Sequence, residues 1–374
     1  MPDGIVIGAA FAHRVDYGGH AWALLQYVLG FRQLGFEVTV VDRLEPEMLD
    51  ESDVVHAIAH LRELLEPEGV PYTLLGANGT VLAGLSRENG LARTRGARFL
   101  LNVMGFVTDR EFLDAARRRV FLDIDPGFGQ VWRELGLADV FAGHDVFVTV
   151  GRNVGSDGCG VPVCGLHWLT IPHPVVLERC PPVAGGAGFT SVGSWRGPYE
   201  SLDFRGRRLG LRAHEFRRFV ELPRRVRGEF QLAFEIDAED WKDIQLLRDR
   251  GWRLLDPKIA ASDPQTYLRF VQRSRAELTV AKGIYVELQS GWLGDRTACY
   301  LASGKPALVQ DTGLASHYAL GDGLLAFSTI EEAVEGVQSI DADYTGHARA
   351  ARRLAEKEFD AARVLATLLE QVGR

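Results

Sequence analysis

Short apolar runs recur along the chain, each closed by glycine or a polar turn. The first, GIVIGAA at residues 4–10, has the length of a strand buried on both faces of a parallel sheet. A polar loop, FAHRVDYGG, follows. HAWALLQYVLGFRQLG then places its apolar residues at helical spacing and stops at Gly35, a residue suited to a helix C-cap. FEVTVVD returns to a strand. This is a βαβ unit of about 40 residues, a crossover that is right-handed in nearly every known case. RFLLNVMG (98–105), VFLDID (120–125) and DVFVTVG (145–151) repeat the strand-and-loop pattern.

PPVAGGAG at 181–188 suits neither helix nor strand and reads as a linker. Beyond it the alternation restarts with FTSVGSW (189–195), FQLAFEID (230–237), AELTVAK (276–282), PALVQD (306–311) and GLLAFS (323–328). The last thirty or so residues are patterned as one or two amphipathic helices. The expectation is an α/β protein of two domains, residues 1–182 and 189–345, each with a parallel sheet, followed by C-terminal helices at 346–374. In open parallel sheets ligands bind beyond the carboxyl ends of the strands, so both domains would aim loops at a shared cleft.

Bulk composition narrows the class. At 374 residues two domains are the default. The net charge of −8 argues against a general nucleic-acid binder. No apolar run reaches membrane-spanning length, and the N-terminus lacks the basic and apolar regions of a signal peptide. Four cysteines in a chain of this size fit a reducing cytoplasm. No dinucleotide fingerprint, P-loop or Gly-x-Ser-x-Gly elbow is present.

The segment SGWLGDRTACYLASGKPALVQDTG, residues 290–313, concentrates candidate chemistry. YVELQSGW reads as a strand reaching a glycine turn at Ser290 and Gly291. Asp295 or Thr297 would cap the helix TACYLAS, leaving its first N–H groups and positive dipole end for an anion. Arg296 adds a forked cation matched to phosphate oxygens. After the Gly304-Lys305-Pro306 stop, Gln310, Asp311 and Thr312 would reach the same edge and read sugar hydroxyls.

The order of these parts resembles the glycosyltransferases of the GT-B fold, in which two Rossmann-like domains face each other across a cleft. GWRLLDP (251–257) is similar to the family's nucleobase loop, which brings in Leu255. SGW…YLASGKPALVQD is similar to its phosphate loop, helix and final sugar-binding pair. YGGHAWALLQYVLGFRQLGFEVTVVD resembles its glycine-rich loop, with Gly19, and its catalytic histidine, here His20. DRTACYLASGKP looks like the arginine-containing version of spore-coat-type members. The chain departs from the pattern at Cys299, where many members hold the ribose with an acid, and at Ser290, where plant-type members have a histidine.

The resemblance implies a sugar transferred from a nucleotide diphosphate donor to a small-molecule acceptor, in secondary metabolism or glycoconjugate synthesis, by a cytoplasmic, metal-independent enzyme without a cofactor. An epimerase or phosphorylase of the same fold and a non-catalytic sugar-nucleotide binder are the alternatives. The oligomeric state stays open. His20 would be the base; Asp125, at a strand end beside Pro-Gly, would orient it. Arg212 and His214, in an arginine-rich segment after the second domain's first strand, are candidates to reach the diphosphate. Cys159, Cys164 and His167 in CGVPVCGLHWLTIPHPVVLERC lack the usual zinc spacing and read as a buried-thiol loop rather than a metal site.

Overall fold

The computed structural model describes residues 3–44, 51–197 and 199–373. The first domain carries β1 (Gly4–Gly8), β2 (Glu37–Arg43), β3 (Tyr72–Leu75), β4 (Val81–Gly84), β5 (Ala97–Val103), β6 (Arg119–Asp123), β7 (Val146–Thr149) and β8 (Trp168–Thr170). They form one sheet in the order β4-β3-β2-β1-β5-β6-β7-β8. Only β3 and β4 pair antiparallel, across a Gly-Ala-Asn-Gly hairpin.

The second domain carries β9 (Ala187–Ser194), a small hairpin of β10 (Leu202–Phe204) and β11 (Arg207–Leu209), then β12 (Phe230–Glu235), β13 (Arg253–Leu254), β14 (Ser274–Thr279), β15 (Ala307–Gln310) and β16 (Leu324–Phe327). Its six-stranded sheet is β13-β12-β9-β14-β15-β16, parallel throughout.

Both sheets reverse winding direction at their first strand, since β1 lies between β2 and β5 and β9 between β12 and β14. Loops after strands on either side of such a reversal diverge and leave a crevice at the carboxyl edge. That topology makes the segments after β1, β9 and β14 the site-builders.

Two expectations need correction. YVELQSGW is not a strand: Gly283–Glu287 is a short helix, and the chain then runs as an irregular segment to the helix Asp295–Ala302. Ile284, Tyr285 and Leu288 instead pack with Phe121, Phe128 and Val131 of the first domain. The C-terminal segment also divides differently. Tyr344–Glu358 packs on Asp295–Ala302 within the second domain, and only Ala361–Val372 lies on the first helix, Gly18–Gln33. The crossing itself is at residues 359–361, where the Val175 amide donates to the Phe359 carbonyl at 2.6 Å and the Ala361 amide to the Val175 carbonyl at 2.9 Å.

One part of the interface between the domains is apolar. Phe128, Val131, Val150 and Val154 of the first share one cluster with Phe204, Leu209, Ile284, Tyr285 and Trp292 of the second.

Candidate functional site

A cleft of about 700 Å³ opens where the carboxyl edges of the two sheets meet. From the first domain come Arg14, Tyr17, Gly19, His20 and Asp125; from the second come Gly193, Ser194, Arg212, Leu255, Lys282, Asp295 and Arg296.

The first helix enters the cleft end-on. The Gly18 amide donates to the Ala261 carbonyl of the second domain at 2.8 Å. A Cβ on Gly18 would lie 2.2 Å from the Asp263 carbonyl oxygen, and one on Gly19 3.1 Å from the Tyr267 ring. The Gly-Gly pair is therefore a docking surface between domains, which brings His20 to the seam. Tyr17 bridges the same seam through its hydroxyl, which donates to Glu235.

One His20 ring nitrogen, Nε2, lies 3.0 Å from the Ala10 carbonyl. A carbonyl only accepts, so Nε2 carries the hydrogen and Nδ1 keeps its lone pair. Burial lowers the His20 pKa to about 4, against a partial rise from that carbonyl bond. The imidazole is neutral at pH 7.

Asp125 does not orient it. Both Asp125 oxygens are taken by the Lys282 ammonium, at 2.9 and 2.6 Å. The tautomer of His20 is set by backbone, not by a carboxylate. Asp123, its near neighbour, is fully enclosed by Gln130 at 2.7 Å and the Thr149 hydroxyl at 2.9 Å; burial pushes it up to about 6.

The cations cluster at the winding reversal of the second sheet. Arg212 opens a short helix and is 7% exposed. Its Nε donates to the Val280 carbonyl at 3.1 Å and one terminal nitrogen to the Ser194 carbonyl at 2.7 Å. No carboxylate pairs with it among the described residues. Burial, and then repulsion from Arg296, lower its pKa to about 9. Arg296 is also buried but is not a free fork. Its Nε donates to Glu277 at 2.7 Å, one terminal nitrogen to the Val192 carbonyl at 2.5 Å and the other to the Thr279 hydroxyl. Burial acts to lower its pKa, but Glu277 outweighs that and the net shift is upward. Gly193 lets both guanidinium groups lie over the strand end, since a Cβ there would sit 3.0 Å from Arg212 and 3.3 Å from Arg296.

Several expected ligands are occupied elsewhere. Helix Asp295–Ala302 is capped by Gly294 without a side-chain bond. Asp295 is its first residue and lines the cleft, whereas Thr297 is fully buried. Ser290 and Gly291 lie against Asn153 of the first domain, whose amide donates to the Ser290 carbonyl at 3.1 Å. Gln310 spans from the Ala281 amide to Glu215, at 3.0 and 2.7 Å. Asp311 caps the next turn through the Gly313 and Leu314 amides, and the Thr312 hydroxyl donates to the Trp292 carbonyl. Of the three, Thr312 ties the irregular segment to the end of β15, and none of them lines the cleft. His214 is exposed and caps its own helix through the Leu211 amide at 3.1 Å, away from the cleft. The Cys164 thiol donates to the Gln130 carbonyl, and Cys180 lies buried against Cys299.

Leu255 lines the cleft and follows β13, its amide donating to the Leu232 carbonyl at 2.8 Å. Sequence reading missed Lys282, Tyr285 and Trp292. Lys282 follows the apolar run of β14, a position that the switch-point rule marks out once strand order is known; the two rings look like core residues in isolation.

Residues 212–370 match a family model described as glycosyl transferase-like. No curated protein sequence matches the chain. Among solved structures, an alpha-glucosyltransferase in complex with UDP and a 13-mer DNA aligns over 100% of both chains at 11% identity, with a TM-score of 0.62. HepE from Anabaena in complex with UDP-glucose aligns over 99% of both at 12% identity and a TM-score of 0.57. A glycosyltransferase from Rickettsia africae covers 99% of this chain and 98% of its own at 9% identity and 0.55. The fold is the GT-B fold of glycosyltransferases.

Proposed function

We propose that this GT-B chain transfers a hexosyl group from a nucleoside diphosphate sugar to a small acceptor. The observation that carries the reading is the cation cluster of Arg212, Lys282 and Arg296 at the winding reversal of the second sheet, facing His20 across the cleft. Arg212 is the strongest anion ligand, because a buried guanidinium without a carboxylate gains most from a diphosphate. Arg296, paired with Glu277, braces the strand end behind it. Leu255 and the loop after β13 form the nucleobase end.

In this reading the neutral His20, through Nδ1, takes the acceptor's proton as the hydroxyl oxygen attacks the anomeric carbon. The bond to the diphosphate breaks and its electron pair leaves with the phosphate oxygen. Preorganised cations stabilise that charge without rearranging. Direct displacement inverts the anomeric configuration. These side chains take the role a divalent ion has in other transferases, so turnover is expected to survive EDTA. A cleft of about 700 Å³ fits a sugar nucleotide with a small acceptor, and the net charge of −8 disfavours a polyanionic acceptor. The structural neighbours bound to UDP and UDP-glucose make UDP the first nucleotide to test.

The deciding experiment is a thermal-shift panel of UDP, GDP, TDP and ADP, followed by donor hydrolysis with the best of them. One diphosphate is expected to raise Tm in a concentration-dependent way, and the protein to hydrolyse the matching sugar donor slowly. Binding without any hydrolysis or transfer would favour the non-catalytic reading.

His20 gives a second test. Its folded pKa of about 4 lies below the ordinary 6.5, so the unfolded chain binds more protons between those values. Its contribution therefore falls as pH drops from 6.5 to 4 and is unchanged above 6.5. His20→Asn should lose less stability than wild type between pH 7 and 4.5 in urea titrations, while transfer falls 10²–10⁴-fold, on the order expected for a lost general base. Full turnover in that variant would remove His20 from the chemistry.

A further inference from the structure

The ion pair between Asp125 and Lys282 crosses the cleft beside Arg212, which has no carboxylate partner among the described residues. Asp125 follows β6 of the first domain and Lys282 follows β14 of the second. Both side chains line the cleft, with relative exposures of only 17% and 11%. The ammonium sits in a cage of rings: its Nζ is 4.9 Å from the centroid of Phe128, 5.4 Å from Tyr199 and 5.5 Å from Tyr285. Phe128 comes from the first domain and the other two rings from the second. The Lys282 side chain also passes 3.7 Å from the space a Cβ would fill at Gly197, in the loop after β9 that Arg212 braces through the Ser194 carbonyl. Lys282 is therefore beside the anion position but engaged on both carboxylate oxygens.

We propose that Asp125 is a built-in competitor for the diphosphate. It holds Lys282 while the cleft is empty and gives it up when a donor binds, so it acts as a positioning residue that couples donor binding to the first domain. This rests on the glycosyl-transfer reading.

A doubly charged diphosphate beside Arg212 presents more negative charge to Lys282 than one carboxylate. The rings keep the ammonium in place by cation–π attraction while its partner changes. The counter-ion of Lys282 is what is exchanged. Asp125, freed at the carboxyl edge of the first sheet, is then an open acceptor for a sugar or acceptor hydroxyl. The arrangement lowers affinity for the diphosphate product in proportion to what Asp125 recovers when Lys282 returns.

The test is calorimetric binding of UDP, GDP, TDP, ADP and inorganic pyrophosphate to the full chain. Wild type, Asp125→Asn and Lys282→Gln are compared, with circular dichroism confirming that each is folded. Asp125→Asn is expected to bind the diphosphate that wild type prefers about tenfold more tightly, although it removes a buried ion pair, and to lower kcat while KM for the donor falls. Lys282→Gln should bind it at least tenfold more weakly. A merely structural pair would weaken or leave unchanged both affinities. If wild type binds and Asp125→Asn does not bind more tightly, the competitor role is wrong and the glycosyl-transfer reading stands. If neither a nucleoside diphosphate nor pyrophosphate binds wild type, the underlying reading fails and the competitor role falls with it.

Discussion

Arg212→Gln is expected to lower kcat/KM for the sugar donor by about 10²–10³-fold, the loss typical of one preorganised charge-stabilising donor. Nucleoside diphosphate affinity should fall in parallel. Stability should not fall with it. Arg212 is a buried cation bonded to two backbone carbonyls, with no carboxylate among the described residues and with Arg296 repelling it. Glutamine keeps a donor for a carbonyl and removes both the desolvated charge and the repulsion. The urea midpoint of the variant should therefore equal or exceed that of wild type. Function lost with stability kept is the mark of a ligand-facing charge. Unchanged diphosphate affinity in this variant would move the anion site elsewhere.

Arg296→Met is expected to act in the opposite sense, on stability first. Glu277 is fully buried, Arg296 is its only cation among the described residues, and burial already pushes its carboxyl pKa upward. Removing one member of such a pair costs about 3–5 kcal/mol, because the other charge is left uncompensated. Replacing both, Glu277→Leu with Arg296→Met, should recover much of that loss. The deficit of the single variant should also shrink on acidification, since a protonated Glu277 needs no cation. Its folded pKa lies above the unfolded value, so its stabilising protonation is present at low pH and lost as pH rises. Denaturant titrations of the three proteins at pH 5 and pH 8 decide the matter. A single variant as stable as wild type would mean that Glu277 does not depend on Arg296.

The two predictions separate cations that look alike as letters. Arg212 and Arg296 both follow apolar runs in the second half of the chain, and residue type alone assigns phosphate recognition to either. Their roles diverge because Glu277, on β14, pairs with Arg296, whereas no carboxylate pairs with Arg212 among the described residues. Partner identity is a tertiary fact, set by which strand lies beside which helix.

The same holds for Asp125 and His20. Their positions at element ends were legible, because Asp before Pro-Gly and His after Gly-Gly are local signals. That they do not touch was not legible. The Ala10 carbonyl, ten residues from His20, takes the ring nitrogen, and a lysine 157 positions from Asp125 takes the carboxylate.

Gln310, Asp311 and Thr312 lie off the cleft for a related reason. Strand polarity correctly brought them to the carboxyl edge, but each spends its hydrogen bonds on a neighbour there: Gln310 on the Ala281 amide and Glu215, Asp311 on the Gly313 and Leu314 amides, and Thr312 on the Trp292 carbonyl. A polar group at a strand end serves either a ligand or a neighbouring loop, and the sequence does not say which loop will lie on top.

What the amino-acid order settled by itself was the alternation of buried strands and amphipathic helices, the glycine-rich linker between two such series, and therefore two mainly parallel sheets with loops at one edge. Those features follow from local periodicity and backbone preference. What the tertiary structure alone decided was strand order, and with it the winding reversals that place Lys282 and Gly193 at the cleft. It also decided which buried charges are cancelled by a partner and which remain to meet a ligand. Charge pairing acts across space over a few ångströms, between residues that may stand more than a hundred positions apart in the chain.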